Sequence, residues 1–365
     1  MTTVDLSFPP MGGEARVRLE SASLDRAALD RLADATHTRI ESIEAVLSRF
    51  RPGSELNALN DDPRVAVPVS ALLRRTVAAA CWAAERSGGL VDATLLGELE
   101  RHGYEESWDA ARRADLEAAL AAAPPRRPAR PARWHREHSL AVDADGRVAR
   151  MPGVRLDPGG LAKGMAADLV AATLPAGVRY AISCGGDVAV GGGEPWEVGV
   201  RSARSDAEVH RLRVRAGGVA TSGIAARLWQ RSDGSFAHHV LDPATGRPAW
   251  TGLVAVTAVA DSALEAEVLA KAALLSGPLA ARRLLRTRGG VLQHDDGRVE
   301  VVPAPAVVPA PAAGGRLTGR VSRRRCRRAR RRRRSARPRS RPSGRWSAGP
   351  SPRSASGPCA GRRSR

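Results

Sequence analysis

Apolar and charged residues alternate over Ala15–Leu19, where Ala, Val and Leu are separated by Arg, and this predicts a half-buried strand. From about Leu24 to Phe50 the period lengthens. Ile40, Ile43, Val46, Leu47 and Phe50 recur at helical spacing, and Pro52-Gly53 ends the run. A second helix is predicted from Ser70, a capping residue by type, with Leu73, Val77, Cys81 and Ala84 on one face and Gly88-Gly89 past its end. Residues 107–123 read as an Ala-rich helix, and Pro124–Arg133 as a loop or insertion. From Ser139 the texture becomes β. Asp145-Gly146 between Leu140–Val142 and Val148–Arg150 is a hairpin signal. Gly159–Leu174 reads as a loop feeding a helix. Strands are predicted at Tyr180–Ser183, Trp196–Arg201, Val209–Arg215, His239–Leu241 and Val254–Val259. Helices at Ser262–Leu275 and Leu279–Arg286 and a hairpin around Asp295-Asp296-Gly297 complete the pattern. Helices first, then mixed strands and helices, argue an α+β domain over a regular βαβ alternation.

Composition sharpens this picture. A chain of 365 residues has room for one to three domains. It is 43% hydrophobic but only 3% aromatic, so its core must be built from Ala, Val and Leu. The net charge of +20 first points to a polyanion partner. Residues 316–365, however, hold 20 of the 58 basic residues and no acid, which leaves 38 basic against 38 acidic residues in the first 315. The excess therefore belongs to a tail, not to the globular part. The Pro, Ala and Val of 303–315 and the Arg, Ser, Pro and Gly beyond offer too little apolar surface to offset the entropy of ordering, so 303–365 is expected to be a linker and a disordered basic tail. It reads equally as a solvated native tail or as a translated frameshift in a GC-rich gene. Nucleic acid could be held there by charge alone, but only Trp346 interrupts the arginines, so no specific nucleic-acid partner is expected.

Cys81, Cys184, Cys326 and Cys359 are scattered without metal spacing. The start, MTTVDLSFPPMGG, lacks the basic and apolar regions of a secretory signal, and no stretch of about 18 apolar residues occurs. A cytoplasmic protein without a membrane span is expected. Lysine is nearly absent: Lys163 and Lys271 stand against 56 arginines. Arg replaces Lys wherever a generic positive charge suffices, so these two mark positions where a compact ammonium is needed or are chance retentions.

Four segments carry more Gly, Asp and Thr than a core requires. In Asp157-Pro-Gly-Gly-Leu-Ala-Lys-Gly-Met-Ala-Ala-Asp168, glycines allow close backbone approach and a helix start offers free N–H groups, with Lys163 beside them. Its spacing fits neither a dinucleotide fingerprint nor a phosphate loop, and a plain turn before a helix explains it too. Ser183-Cys-Gly-Gly-Asp-Val-Ala-Val-Gly-Gly-Gly193 runs a strand into paired glycines and Asp187, as a ligand loop or a bulged hairpin would. Ala220-Thr-Ser-Gly223, followed by Arg227, sets Thr221 and Ser222 where hydroxyls can bind phosphate or nucleobase edges. In His238-His-Val-Leu-Asp-Pro-Ala-Thr-Gly-Arg-Pro248, His239 and Asp242 flank a short strand.

Taken in order, these segments resemble the ApbE-like family, the FAD:protein FMN transferases. Met11-Gly12, Ser48-Arg-Phe50, Ser54-Glu-Leu-Asn-Ala-Leu-Asn60 and Gly89-Leu-Val-Asp-Ala-Thr94 match further motifs of that family, and the resemblance runs over roughly residues 8–302. It implies a two-lobed, ApbE-like (T-fold-like) α+β domain over 1–302 with a flavin site between the lobes. It also implies cleavage of the FAD pyrophosphate with a divalent metal, usually Mg²⁺, transfer of FMN to a Thr or Ser of a redox acceptor protein, and release of AMP. Phe50 would then pack on the flavin. Met11, Asp92, Asp157 and Lys163 would line the FAD, and Asp187 would hold a Gly-rich loop and ligand hydroxyls. His239 and Asp242 are the candidate bases, and the metal would lie by Gly160. One segment departs from the family. Where it usually reads Ala-Asp-x-x-x-Thr, this chain has Ala266-Glu-Val-Leu-Ala-Lys271. Glu267 keeps a carboxylate, but Lys271 puts an ammonium where a hydroxyl ligand is usual. Mg²⁺ prefers a near-ideal octahedron of oxygens, so the metal set Gly160, Glu267 and Lys271 is expected to be rearranged or replaced, unless Glu267 and Lys271 simply form a helical surface pair. Readings in competition are an FAD pyrophosphatase, a non-catalytic flavin-binding protein, and nucleic-acid binding through the tail.

Overall fold

Thr2–Phe8 and Ala15–Ser21 pair antiparallel at one edge of an eight-stranded sheet. The order continues through Arg179–Cys184, Asp187–Gly191, Gly217–Gly223, Leu253–Ala260 and Gly290–His294 to Val299–Val302. Every neighbouring pair is antiparallel. The computed structural model describes residues 1–9, 13–132, 139–205 and 207–304. Met11 and the expected linker and tail beyond residue 304 lie outside the described residues.

Strand periodicity assigns the two faces of the sheet. Along Gly217–Gly223, Gly218 and Ala220 face the Ala263–Leu285 helix, where Ala220 meets Ala260 and Ala266. Val219, between them, turns the other way and packs with Val190, Trp196 and Val214. Trp196 and Val214 belong to the Trp196–Arg201 and Glu208–Val214 hairpin, which covers that second face. The Leu253–Ala260 strand, LVAVTAVA, is accordingly apolar on both faces and almost wholly buried. Small residues let the helix lie close to the sheet, so the aromatic-poor composition becomes a packing property.

One close approach lies where three elements meet. A Cβ on Gly164, in the Ala162–Ala171 helix, would collide with the Ala263 carbonyl, and one on Gly218 would collide with the Ala263 backbone from the sheet side. Asp168 completes the joint. Its carboxylate oxygens accept from the N–H groups of Ala263 (2.8 Å) and Leu264 (2.9 Å), two of the donors that a helix start leaves without partners. The Ala263–Leu285 helix is thereby fixed at its first turn, one turn before Glu267. Gly164→Ala must push two backbones apart and is expected to cost about 1–3 kcal/mol. Urea unfolding measures this, and an unchanged midpoint would show that the helices separate freely.

Most predicted elements are present, and the departures have local causes. Thr2–Phe8 is a strand that the sequence reading passed over, although Val4, Leu6 and Phe8 alternate with polar residues. Residues 107–123 do not form one helix. Asp109 accepts from the N–H of Ala111 and Asp115 from that of Ala118, so each starts its own short turn, Ala110–Arg112 and Leu116–Ala122. Ala114 N–H between them is tied to the Leu228 carbonyl. The predicted strand His239–Leu241 is instead a junction: Phe236–His238 pairs with Leu228–Gln230, and Leu241–Asp242 pairs with Arg247–Pro248. The two predicted C-terminal helices are both present within the run Ala263–Leu285, separated at Gly277, whose φ of 74° is non-helical, and Pro278 after it.

Apolar side chains gather into two main cores. One joins the Arg26–Leu47, Ala71–Arg86 and Ala162–Ala171 helices to the Ala15–Ser21 edge of the sheet. The other surrounds Leu274, Leu275, Val254 and Val256. These are the two lobes of the α+β fold, and Met1–Val307 clusters as one compact unit.

Candidate functional site

The larger cavity, ≈340 Å³, is lined from both cores, by Leu47 and Val91 of the first and by Val240 and Leu275 of the second. Its size falls in the usual range for small-molecule sites. The Arg26–Leu47 helix delivers Arg49 and Phe50 to it, and the Ser54–Asn60 motif holds them there. Ser54 caps the Glu55–Asp61 helix, and Asn57 donates to the carbonyls of Arg49 and Arg51, both at 2.9 Å. Asn60 bonds both backbone groups of Leu156 (2.7 and 2.9 Å), and Asp157 N–H donates to the Ala93 carbonyl (2.8 Å). Asp157 thus arrives opposite Arg49, whose guanidinium lies 3.1 Å from its carboxylate. The same guanidinium carbon stands 4.1 Å from the Phe50 ring centroid and 4.6 Å from that of Tyr104. Phe50 and Tyr104 are 5.7 Å apart, centroid to centroid. The result is an aromatic wall backed by a buried cation. Asp92 lines the same cavity, and its Oδ1 accepts from the N–H and hydroxyl of Thr94 (2.8 and 2.6 Å).

A smaller cavity, ≈120 Å³, adjoins it and is polar, with Thr221, Ser222, Asp187 and Glu267 in its wall. Thr221 Oγ1 lies 2.8 Å from Thr257 Oγ1, across the strand pair. Asp187 follows a two-residue turn made by Gly185 and Gly186, whose φ values of 59° and 95° are open to glycine without strain. That tight hairpin puts the Asp187 carboxylate 3.0 Å from Lys163 Nζ. Glu267 approaches from the opposite side, with Oε1 2.7 Å from Lys163 Nζ and Oε2 accepting from Gly164 N–H at 2.9 Å. The two acid side chains are only 2% and 4% exposed, so this is a buried ammonium between two carboxylates. Burial works against the Lys163 charge, but Asp187 and Glu267 outweigh it and hold its pKa above the ordinary lysine value. Burial pushes the Asp187 carboxyl up; Lys163 opposes this and Glu267 adds to it. Cys184, buried next to this cluster, is pushed up to about 12, chiefly by burial, and is an inert thiol at neutral pH.

Gly159, Lys163, Arg227, His239, Val240 and Lys271 line both cavities and form the wall they share. His239 stands there because the strand breaks after His238. Its Nδ1 lies 3.4 Å from the Arg227 carbonyl. Burial, then the charges of Arg227 and Lys271, keep its pKa well below the ordinary His value, so the ring is neutral at pH 7. Lys271 Nζ packs against Gly160, where a Cβ would collide with it. Burial lowers its pKa and Glu267 opposes the shift.

Three expectations change here. Asp242 lies outside both cavities. Its Oδ1 accepts from Arg130 and Ala244 N–H groups, both at 3.0 Å, and its carbonyl accepts from Gly246 N–H, so it closes a turn. Lys163 donates to Glu267 and, at 3.4 Å, to the Gly159 carbonyl, and is ion-paired with Asp187, so a phosphate contact is no longer its evident task. Gly160, Glu267 and Lys271 do not fit Mg²⁺: both Glu267 oxygens are taken, Lys271 brings a positive charge, and no cluster of three or more metal-ligating side chains exists among the described residues. Nor do Glu267 and Lys271 make a surface pair, because Glu267 is buried and turned to Lys163. The structure gathers Phe50, Asp92, Asp157, Lys163, Asp187, Thr221, Ser222, Gly160, Glu267, Lys271 and His239 around the two cavities. Sequence reasoning missed Arg49 and Tyr104. Arg49 stood between two motif residues in an Arg-rich chain. Tyr104 carried a usable signal, being one of two tyrosines in a chain with 3% aromatics.

Comparison with known proteins places the chain in a family. Residues 11–293 match the model of the ApbE family. The FAD:protein FMN transferase of Treponema pallidum is 31% identical over 318 residues, covering 77% of this chain and 85% of the relative. That of Salmonella typhimurium is 27% identical over 291 residues, 76% and 80% of the two chains. Among solved structures, the ApbE protein of Thermotoga maritima superposes with a TM-score of 0.67 at 26% identity, covering 82% of this chain and 97% of its own. The flavin transferase ApbE of Vibrio cholerae shares the fold, with a TM-score of 0.64 at 21% identity over 82% and 97% of the two chains.

Proposed function

The chain belongs to the ApbE family, and from that premise we propose that it is an FAD:protein FMN transferase, which splits FAD and attaches FMN to a hydroxyl of a protein. The observation that carries this reading is the shared wall. An aromatic cavity meets a polar one at a boundary of cationic side chains and a neutral imidazole. The flavin ring belongs against Phe50 and Tyr104, with Asp92 and Asp157 along the ligand. The pyrophosphate then falls at the shared wall, where positive charge stabilises the oxygens of phosphoryl transfer. The smaller cavity, with Thr221 and Ser222, takes the acceptor, a Thr or Ser of a redox protein. Its oxygen attacks the FMN-side phosphorus. A P–O bond forms there as the bond to the bridging oxygen breaks, and AMP leaves with that oxygen and the electron pair. His239, neutral at pH 7, takes the hydroxyl proton. The free thiols Cys81 and Cys184 fit a cytoplasmic setting, and no helix among the described residues is long and apolar enough to cross a membrane.

The test mixes the full-length protein, FAD and a co-expressed redox acceptor, and follows AMP by chromatography and the acceptor by mass. The expected result is equal amounts of AMP and acceptor-bound FMN. AMP with only free FMN would mark a pyrophosphatase, and intact FAD under all metal conditions would reject both activities.

A further inference from the structure

We propose that the Lys271 ammonium is the cation acting on the FAD pyrophosphate, and that this chain therefore transfers FMN without a bound divalent metal. The inference rests on the transferase reading above and concerns how that reaction is charged. Cleavage of a pyrophosphate needs fixed positive charge at its oxygens. A divalent ion would supply it only through free oxygen donors in near-octahedral array. Of the carboxylates nearest Lys271, Glu267 has both oxygens taken, by Lys163 and the Gly164 N–H, and Asp187 is ion-paired with Lys163 at 3.0 Å, its buried Oδ2 making no hydrogen bond; one carboxylate already bound to an ammonium does not make an octahedron. Lys271 lies one helical turn beyond Glu267, where an i,i+4 pair could form, yet Glu267 points to the other lysine. Lys271 is left with no acidic partner within 4 Å among the described residues.

Its position gives this unpaired charge a purpose. The ammonium packs on Gly160, which has no side chain to exclude it, and lines both cavities at the wall where the reacting phosphorus must sit. A divalent cation beside it would be repelled. Retention of lysine in a chain that otherwise uses arginine fits the same geometry, since a compact ammonium can lie directly against the Gly160 backbone.

The experiment measures AMP release from FAD, with acceptor, by full-length wild type, Lys271→Thr and Lys271→Met, each in EDTA and in millimolar Mg²⁺. Thermal melting shows whether each variant is folded. Binding of Mn²⁺ to the FAD-loaded proteins, read by electron paramagnetic resonance, gives a second readout independent of turnover. Wild type is expected to turn over equally, within about two-fold, in EDTA and Mg²⁺ and to bind no Mn²⁺ tightly. Both variants are expected to lose about 10²–10³-fold in EDTA. Lys271→Thr, which restores an oxygen, should recover part of that in Mg²⁺ and gain Mn²⁺ binding, whereas Lys271→Met should do neither. A wild type that stops in EDTA and restarts with Mg²⁺, or a Lys271→Thr variant indistinguishable from it, overturns the proposal and leaves the transferase reading standing. Absence of AMP in every arm refutes the transferase reading instead, and tight Mn²⁺ binding by wild type would then still overturn the role given to Lys271.

Discussion

Lys163→Met is expected to remove about 3–5 kcal/mol of stability at neutral pH, the usual cost of stripping a buried charge cluster of one member. Methionine keeps the length of the side chain but leaves Asp187 and Glu267, 2% and 4% exposed, without their shared cation. Asp187, whose carboxyl burial already pushes up, cannot stay ionised cheaply once Lys163 no longer opposes that shift, so it takes up a proton in the folded state. The sign of the pH dependence follows. A carboxyl whose folded pKa lies above its unfolded value stabilises at low pH and loses that contribution as pH rises. The variant should therefore unfold in less urea at pH 8 than at pH 5, with a difference larger than in wild type. Adding Asp187→Asn and Glu267→Gln to Lys163→Met removes the stranded charges and should recover most of the stability. Equal urea midpoints for wild type and Lys163→Met across pH 5–8 would show that the cluster carries no net charge energy.

His239→Gln is expected to slow transfer by about 10²–10⁴-fold, the range for loss of a positioned base, while FAD binding changes little. The pH profile is the more specific reading. Burial and the charges of Arg227 and Lys271 hold the imidazole well below its ordinary value, so the free enzyme keeps its base deprotonated on acidification. The acid limb of kcat/KM should thus lie below the usual His range of about 6.5 and vanish in His239→Gln. A wild-type limb at 6.5 or above, or a variant of undiminished rate, would remove His239 from the proton path.

Much of this architecture is local and therefore legible along the chain. Ser70 caps its helix as its type predicts. The Asp145-Gly146 turn joins the strands predicted around it, and Trp196–Arg201 is a strand over the predicted residues. The Gly-rich segments are legible because glycine takes the positive φ of the Gly185-Gly186 hairpin without strain and lets one backbone lie on another at Gly164. The rarity of lysine singled out both ammonium groups before any contact was visible.

Tertiary structure decided which charges meet. From spacing alone, Glu267 and Lys271 are a helical pair worth roughly 0.2–0.5 kcal/mol at a surface. The Ala162–Ala171 helix instead crosses the Ala263–Leu285 helix at Gly164 and presents both Lys163 and a backbone N–H to Glu267. In a buried place of low dielectric, that cross-helix arrangement outweighs the local pair. The same holds for Asp242 and Arg49. Asp242 looks functional beside His239 but closes a turn, because its neighbours offer N–H donors. Arg49, one of 56 arginines, matters because a distant loop brings Asp157 to it. Side-chain type and spacing set what each residue can do, whereas the partner that uses it lies far along the chain and is chosen only when the helices cross.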